Sequence, residues 1–316
     1  MHRDWGECSP RWSGVRSEVV DVRGVGVHVL RADAEGGGTA QVLVHPMGAS
    51  GSYWLEVLPG LAAYGPVLAP DLPGSLTGHT ELPRPSAARA DSNARFLRAF
   101  TATLGLDRVV VHGWSAGSLA ALLFADLEPG RVERLVLVDP TLPGPLTAGE
   151  RLGWQTLGRL ALLVGPAVVR TLVPLLGPRL LDLKLGRTTP EALVASRFDV
   201  TGGDLARLSP EMTALLADQL AGIRSQPSRL AVAVTAFADT VSAMYVDRRP
   251  ALEAIDRVAA PTLLLWGDQD QVVDRSVIDH LTTRRPDWNL HVFEGIGHLP
   301  PMSAPTAYIE ATGRGQ

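Results

Sequence analysis

Apolar and polar residues alternate through SEVVDVRGVGVHVLRA (17–32), on either side of Gly24 and Gly26, which predicts a β-hairpin. Glycines 36–38 end it. Short continuous apolar runs follow at QVLVH (41–45), PVLAP (66–70), RVVV (108–111), RLVLVD (134–139), TLLLWG (262–267) and 289–293, the pattern of strands buried on both faces. Between them lie stretches of helical period at 52–64, 86–104, 118–127 and 274–284, with a helical tail behind. Gly105 stops the second of these, and Asp71-Leu72-Pro73-Gly74 is a turn after the strand at 66–70. Strands alternating with helices predict an α/β fold: a mostly parallel, doubly wound sheet with helices on both faces.

The rhythm breaks once. From 142 to 250 there are only Leu-, Ala- and Arg-rich helical stretches punctuated by Pro and Gly. The chain therefore divides into an N-terminal tail (1–16), an α/β core in two pieces (17–141 and 251–316), and an inserted helical cap (142–250). A separate helical domain with work of its own is the alternative for that block.

Composition narrows the class without naming it. At 316 residues, 46% hydrophobic and 20% charged, the chain is an ordinary globular protein. Its net charge of −4 gives no electrostatic reason to expect nucleic acid as a partner. The single cysteine, Cys8, excludes an internal disulfide and points to a reducing, cytoplasmic setting. MHRDWGECSPRW has no apolar segment of the kind a signal peptide needs. The most hydrophobic stretch, 160–178, is interrupted by Pro166, Arg170 and Pro174, so no membrane span is expected. No dinucleotide fingerprint, phosphate loop or zinc-ligand spacing is present, so neither a cofactor nor a metal is expected.

The chemistry concentrates at Gly113-Trp114-Ser115-Ala116-Gly117. A serine sits at a sharp turn from strand to helix, with glycines two residues away on each side where a Cβ would clash. The helix that follows aims its first N–H groups at the same spot. The bare pentapeptide is a weak signal in a chain with 32 glycines, so its strand–turn–helix context carries the reading. A serine nucleophile needs a base, and the base needs a carboxylate. Open α/β sheets put working residues in loops at the carboxyl ends of strands. Two such loops stand out late in the chain: Asp268-Gln269-Asp270 after TLLLWG, and His298 in Gly-Ile-Gly-His-Leu-Pro. Asp139, ending RLVLVD, is a further candidate acid. Of the other histidines, His112 reads as a satisfied core residue and His79 as lining an entrance. His2, His28, His280 and His291 have no partner motif.

In this order of Ser, Asp and His, with a long gap holding the helical block, the chain resembles the α/β-hydrolase fold superfamily from about residue 17 to 312, apart from the insert. The resemblance implies Ser115 as nucleophile, His298 as base and Asp270 as acid, because the family's acid stands three residues after the strand-ending glycine, here Gly267. Asp268 then becomes a turn residue. It also implies an oxyanion hole from the backbone N–H groups of Ala116 and Met47. In the loop His45-Pro46-Met47-Gly48, proline replaces the family's usual glycine, which fixes φ and removes one N–H.

Serine rather than aspartate at the elbow argues against the haloalkane dehalogenase and epoxide hydrolase branches. The resemblance thus implies a serine ester hydrolase working through an acyl-enzyme. The Leu, Val, Ala and Trp154 content of the insert suggests a small to medium apolar substrate, with His45, Trp114 and Trp154 as candidate pocket residues. Arg170, Arg179, Lys184 and Arg187 read as a solvated face. Three other readings stay open: C–C bond hydrolysis or cofactor-free haloperoxidation, lyase or cyclase chemistry, and a non-catalytic small-molecule receptor.

Overall fold

The computed structural model describes residues 3–34, 36–81, 85–168, 201–223 and 227–313. Eight strands form one sheet: β1 (Val15–Val22), β2 (Val25–Ala32), β3 (Ala40–Val44), β4 (Val67–Pro70), β5 (Val109–Trp114), β6 (Val132–Val138), β7 (Thr262–Gly267) and β8 (Asn289–Phe293). Their order is β1-β2-β4-β3-β5-β6-β7-β8. The hairpin β1–β2 turns at Arg23 and Gly24, both at positive φ, and β2 pairs antiparallel with β4. Every other pairing is parallel.

This order creates the site. From β3 the chain steps outward to β4, then returns to place β5 on the opposite side of β3. The connections therefore diverge at the carboxyl ends of β3 and β5 and leave a crevice there, the usual place for ligands in open α/β sheets. All six residues of β5 are buried, as its unbroken apolar run predicts. Strand alternation then feeds two apolar clusters, one per face: Val109, Val111, Leu135 and Leu137 belong to one, Val110, Trp114, Val136 and Val138 to the other.

The first cluster is covered by α2 (Ala90–Thr103), α3 (Ala116–Leu127) and residues Ala251, Ala254 and Ile255. The second is covered by Trp54, Leu58, Leu61 and Tyr308, and also by Trp5 and Trp12. The N-terminal segment is thus docked rather than a free tail: two 3₁₀ turns bury both tryptophans edge to face, while Cys8 stays exposed. The single helix expected over 52–64 is broken into a 3₁₀ turn at Gly51–Trp54, the short α1 (Leu58–Leu61) and another 3₁₀ turn at Ala62–Tyr64. Pro59 lacks the N–H that would extend the helix backward.

Between β6 and β7 the described residues are helical. α4 (Ala148–Gly153) starts at a Thr147/Glu150 capping box and runs into a π-turn at Trp154–Gly158. Further on come a 3₁₀ turn at Asp204–Arg207, α5 (Pro210–Gly222), α6 (Pro227–Val241) and α7 (Arg249–Arg257). Leu208, Met212 and Leu216 pack into the second cluster, which fixes this part of the insert to the sheet. Arg170, Arg179, Lys184 and Arg187 lie outside the described residues.

Candidate active site

Ser115 joins β5 to α3 with φ 53° and ψ −122°, a conformation that costs a non-glycine residue about 1–3 kcal/mol and persists only where the surroundings impose it. Here they do. Ser115 N–H donates to Val138 O at 2.8 Å. A Cβ on Gly117 would stand 2.4 Å from Val44 O, and one on Gly113 2.7 Å from Ala121 Cβ. Only glycine lets the turn come this close to β3 and to its own helix.

His298, in the loop after β8, places Nε2 2.9 Å from Ser115 Oγ and Nδ1 2.8 Å from Asp270 Oδ2. The three side chains expected from the sequence are therefore joined in one hydrogen-bonded chain. Ser115 and His298 are buried, and the Asp270 side chain is wholly shielded. Asp270 is itself fixed, since its Oδ1 accepts from Val272 N–H at 2.7 Å and Val273 N–H at 3.1 Å.

The two other candidate carboxylates do not bond His298. Asp268 is exposed and accepts from Gly295 N–H at 2.7 Å, which braces the β7 and β8 loops. Asp139 is fully buried at positive φ; its Oδ1 accepts from Gly267 N–H at 3.0 Å. Its Oδ2 has no hydrogen-bond partner among the described residues, and the Asp139 carboxyl comes within 4.8 Å of donor atoms of Asp270 and His298. Burial, then the charges of Asp270 and Asp204, push Asp139 well above the usual carboxylate range, which favours its uncharged form.

On the opposite side of Ser115, His45 Nδ1–H donates to Pro46 O at 2.8 Å and His45 Nε2 accepts from Leu72 N–H at 3.0 Å. Burial holds this imidazole below its usual pKa, and both ring nitrogens are committed to shaping the loop. The proline is accommodated this way: its carbonyl takes the His45 proton and also accepts from Ala49 N–H at 3.2 Å. Asp71 fixes the next loop, with Oδ1 accepting from Gly51 N–H (2.7 Å) and Oδ2 from His28 Nδ1–H (2.8 Å) and His79 N–H (2.6 Å). Neither Met47 N–H nor Ala116 N–H has an acceptor among the described residues. Both residues line a narrow cleft with Pro46, Leu72, Pro73 and Ala236, to which Asn93 and Thr240 add polar atoms.

Of the candidate pocket residues, His45 lines this cleft. Trp114 is fully buried; its indole N–H donates to His298 O at 2.9 Å and its ring meets Trp54 edge to face, so it braces the histidine from beneath. Trp154 stacks on Tyr245 at 4.6 Å and is not among the residues lining the cleft. His112 bridges Tyr308 Oη (2.7 Å) and Gln41 Oε1 (3.1 Å) in the core.

Two clusters bring a metal-capable donor set within 4.8 Å: His28, Asp71 and His79, and Asp139, Asp270 and His298. Sequence spacing gave no sign of either, because their members are far apart in the chain. Hydrogen bonds engage His28 Nδ1, Asp71, Asp270 and both His298 nitrogens, while His28 Nε2 and Asp139 Oδ2 have no partner among the described residues. Asp204 was also missed. Its buried carboxylate accepts from Gly297 N–H at 2.9 Å and Leu299 N–H at 2.6 Å, on either side of His298. Two consecutive glycines before it, both at positive φ, are the local signal of the turn that delivers it.

The family model described as alpha/beta hydrolase fold matches residues 42–305. A 2-hydroxy-6-oxo-6-phenylhexa-2,4-dienoate hydrolase of Burkholderia cepacia is 27% identical, covering 93% of this chain and 93% of its own. A pimeloyl-[acyl-carrier protein] methyl ester esterase of Photobacterium profundum is 28% identical, covering 87% of this chain and 94% of its own. Among solved structures, Cfl2 of Burkholderia cenocepacia superposes with a TM-score of 0.71 at 22% identity over 99% of this chain and 98% of its own, a likeness of fold. None of the described helices is long and apolar enough to cross a membrane.

Proposed function

Because this chain belongs to the alpha/beta hydrolase fold family, we propose that it is a serine hydrolase that cleaves an ester or similar acyl bond of an uncharged, small to medium apolar substrate. The observation that carries the reading is the unbroken path Ser115 Oγ–His298 Nε2 (2.9 Å) and His298 Nδ1–Asp270 Oδ2 (2.8 Å) at a strained strand-to-helix turn. His298 takes the Ser115 proton as Oγ attacks the carbonyl carbon. Asp270 holds the Nδ1–H tautomer and stabilises the imidazolium that forms. The N–H groups of Ala116 and Met47 receive the oxyanion, and their want of protein acceptors supports that role. His298 then returns the proton to the leaving alcohol, and water repeats the sequence on the acyl-enzyme. The described part of the insert acts as a helical cap, with Ala236 and Thr240 of α6 at this cleft, and the apolar lining by Pro46, Met47, Leu72 and Ala236 suits an acyl chain or ring.

One relative's name favours a second reading. The Burkholderia cepacia protein is a hydrolase of a dienoate that carries a carboxylate, so C–C bond hydrolysis on the same three residues stands as the alternative.

The test is intact-mass analysis after treatment with a fluorophosphonate. A single adduct on wild type and none on Ser115→Ala is the expected result. An adduct that persists in Ser115→Ala overturns the nucleophile assignment. Turnover of a p-nitrophenyl ester series, against a phenyl-substituted 2-hydroxy-6-oxodienoate, then separates the two chemistries.

A further inference from the structure

The segment Thr201–Asp204 lies against the loop that carries His298. Thr201 O accepts from His298 N–H at 3.0 Å, while the two carboxylate oxygens of Asp204 take the amides of Gly297 and Leu299. Three consecutive amides, with the histidine in the middle, are therefore held by two residues nearly a hundred positions earlier in the chain. The approach is close on both sides. A Cβ on Gly297 would stand 1.7 Å from Thr201 O, and one on Gly202 2.2 Å from Gln269 O, beside Asp270. Gly202 and Gly203 adopt φ of 74° and 91°, which turns the chain so that Asp204 points into the loop.

We propose that Asp204 is a positioning residue of the hydrolytic site: its carboxylate, clamped on the amides flanking His298, sets the imidazole at hydrogen-bond distance from Ser115. The inference rests on the reading of Ser115 and His298 as nucleophile and base. Asp204 touches no reacting atom. It orients two peptide planes, and the His298 side chain projects from between them. Trp114 holds the same residue through its carbonyl, so the N–H and the C=O of His298 and both neighbouring amides are all spoken for. A loop fixed at four main-chain atoms can present its ring in one orientation without relying on the substrate. Because Asp204 belongs to the helical insert, that insert supplies part of the catalytic geometry as well as covering the cleft.

The test needs no knowledge of the natural substrate. The inactivation of full-length protein by a fluorophosphonate is followed in time, and kinact and KI are obtained separately. The labelling endpoint gives the fraction of folded, reactive protein. A role confined to folding lowers the endpoint and leaves kinact of the remaining molecules intact. A positioning role lowers kinact with KI unchanged, because the serine is still reached but its base is displaced. A shift near 1 Å costs about 10²-fold, which sets the expected fall for Asp204→Ala. Asp204→Asn keeps one acceptor and turns an NH₂ toward the other amide, so its kinact falls to an intermediate value. Its near-identical shape makes it decisive if the alanine variant does not fold. Wild-type kinact in Asp204→Asn and in any folded Asp204→Ala overturns the inference while the serine hydrolase reading stands. Labelling of Ser115→Ala, or none of wild type, strikes that reading instead.

Discussion

Replacing Asp270 and Asp139 by asparagine, one at a time, separates the roles of two neighbouring shielded carboxyls. Asp270 Oδ1 accepts two amides, Val272 and Val273, and Oδ2 accepts His298 Nδ1–H. In Asp270→Asn the carbonyl oxygen stays with the two amides, since an NH₂ there would face two N–H donors and lose both hydrogen bonds, worth about 0.5–1.5 kcal/mol each. The NH₂ then faces His298 and forces Nδ1 to accept. The imidazole proton moves to Nε2, which donates to Ser115 and can no longer take its proton. This exchange of tautomer costs about 10⁴-fold in serine-protease triads, equivalent to about 5.4 kcal/mol. Asp139→Asn behaves oppositely. Its carbonyl still accepts from Gly267 N–H, and the hydrogen bonds of Asp270 to His298, Val272 and Val273 stay in place. Its rate falls less than about tenfold, or about 1.4 kcal/mol. The assay is kinact for the fluorophosphonate at neutral pH, with the endpoint correcting for folded fraction. Equal losses in the two variants, or an Asp270→Asn rate within tenfold of wild type, refute the division of roles argued here.

Two further predictions concern pH. In the native state Asp139 keeps a proton that the unfolded chain releases above pH 3.8, so its contribution to stability falls as pH rises from that value. Asp139→Asn removes the penalty, and its Tm relative to wild type climbs as pH rises above 4; a constant difference refutes the raised pKa. His112 acts in the other direction, because burial lowers its pKa to about 3 while the unfolded chain protonates near 6.5. Stability is lost as pH falls through that window, by roughly 2 kcal/mol at pH 5 at about 1.36 kcal/mol per unit. In urea titrations at pH 7 and pH 5, His112→Gln loses less stability than wild type by about that amount; equal losses refute it.

How much of this was legible in the sequence depends on the range of the interaction. Every strand of the sheet was readable, because alternation in the hairpin and unbroken apolar runs in the parallel strands are properties of a few neighbouring residues. The turn at Ser115 was readable for the same reason: glycines at 113 and 117 serve a geometry built within five residues. His298 and the pair Asp268 and Asp270 stood out by their places after strand ends, and the family resemblance singled out Asp270. What failed was set at a distance. Nothing near Trp5 and Trp12 says that they dock on the second core cluster. Pro59 was visible, yet only the packing around it decides that the stretch breaks into turns. Trp114 stands next to the serine and looked like a pocket wall, whereas its indole N–H reaches His298, 184 positions away.

The three buried carboxyls around His298 show the same limit more sharply. By residue type Asp139, Asp204 and Asp270 are equivalent, and each lies beside a glycine-bearing loop. The donors that each one finds separate them. Asp270 finds two amides and an imidazole N–H, and so stands beside the ring on which the imidazolium forms. Asp204 finds two amides, which offset part of the burial that raises its pKa and tie it to the peptide planes beside the ring. Asp139 finds a single amide on one oxygen and no partner on the other, so burial beside another carboxyl favours its uncharged form. Three ionised carboxylates could not share this space. The division of labour follows from that electrostatic constraint, and it predicts that activity tolerates replacement of the carboxyl by an amide at 139, declines with loss of an acceptor at 204, and fails at 270.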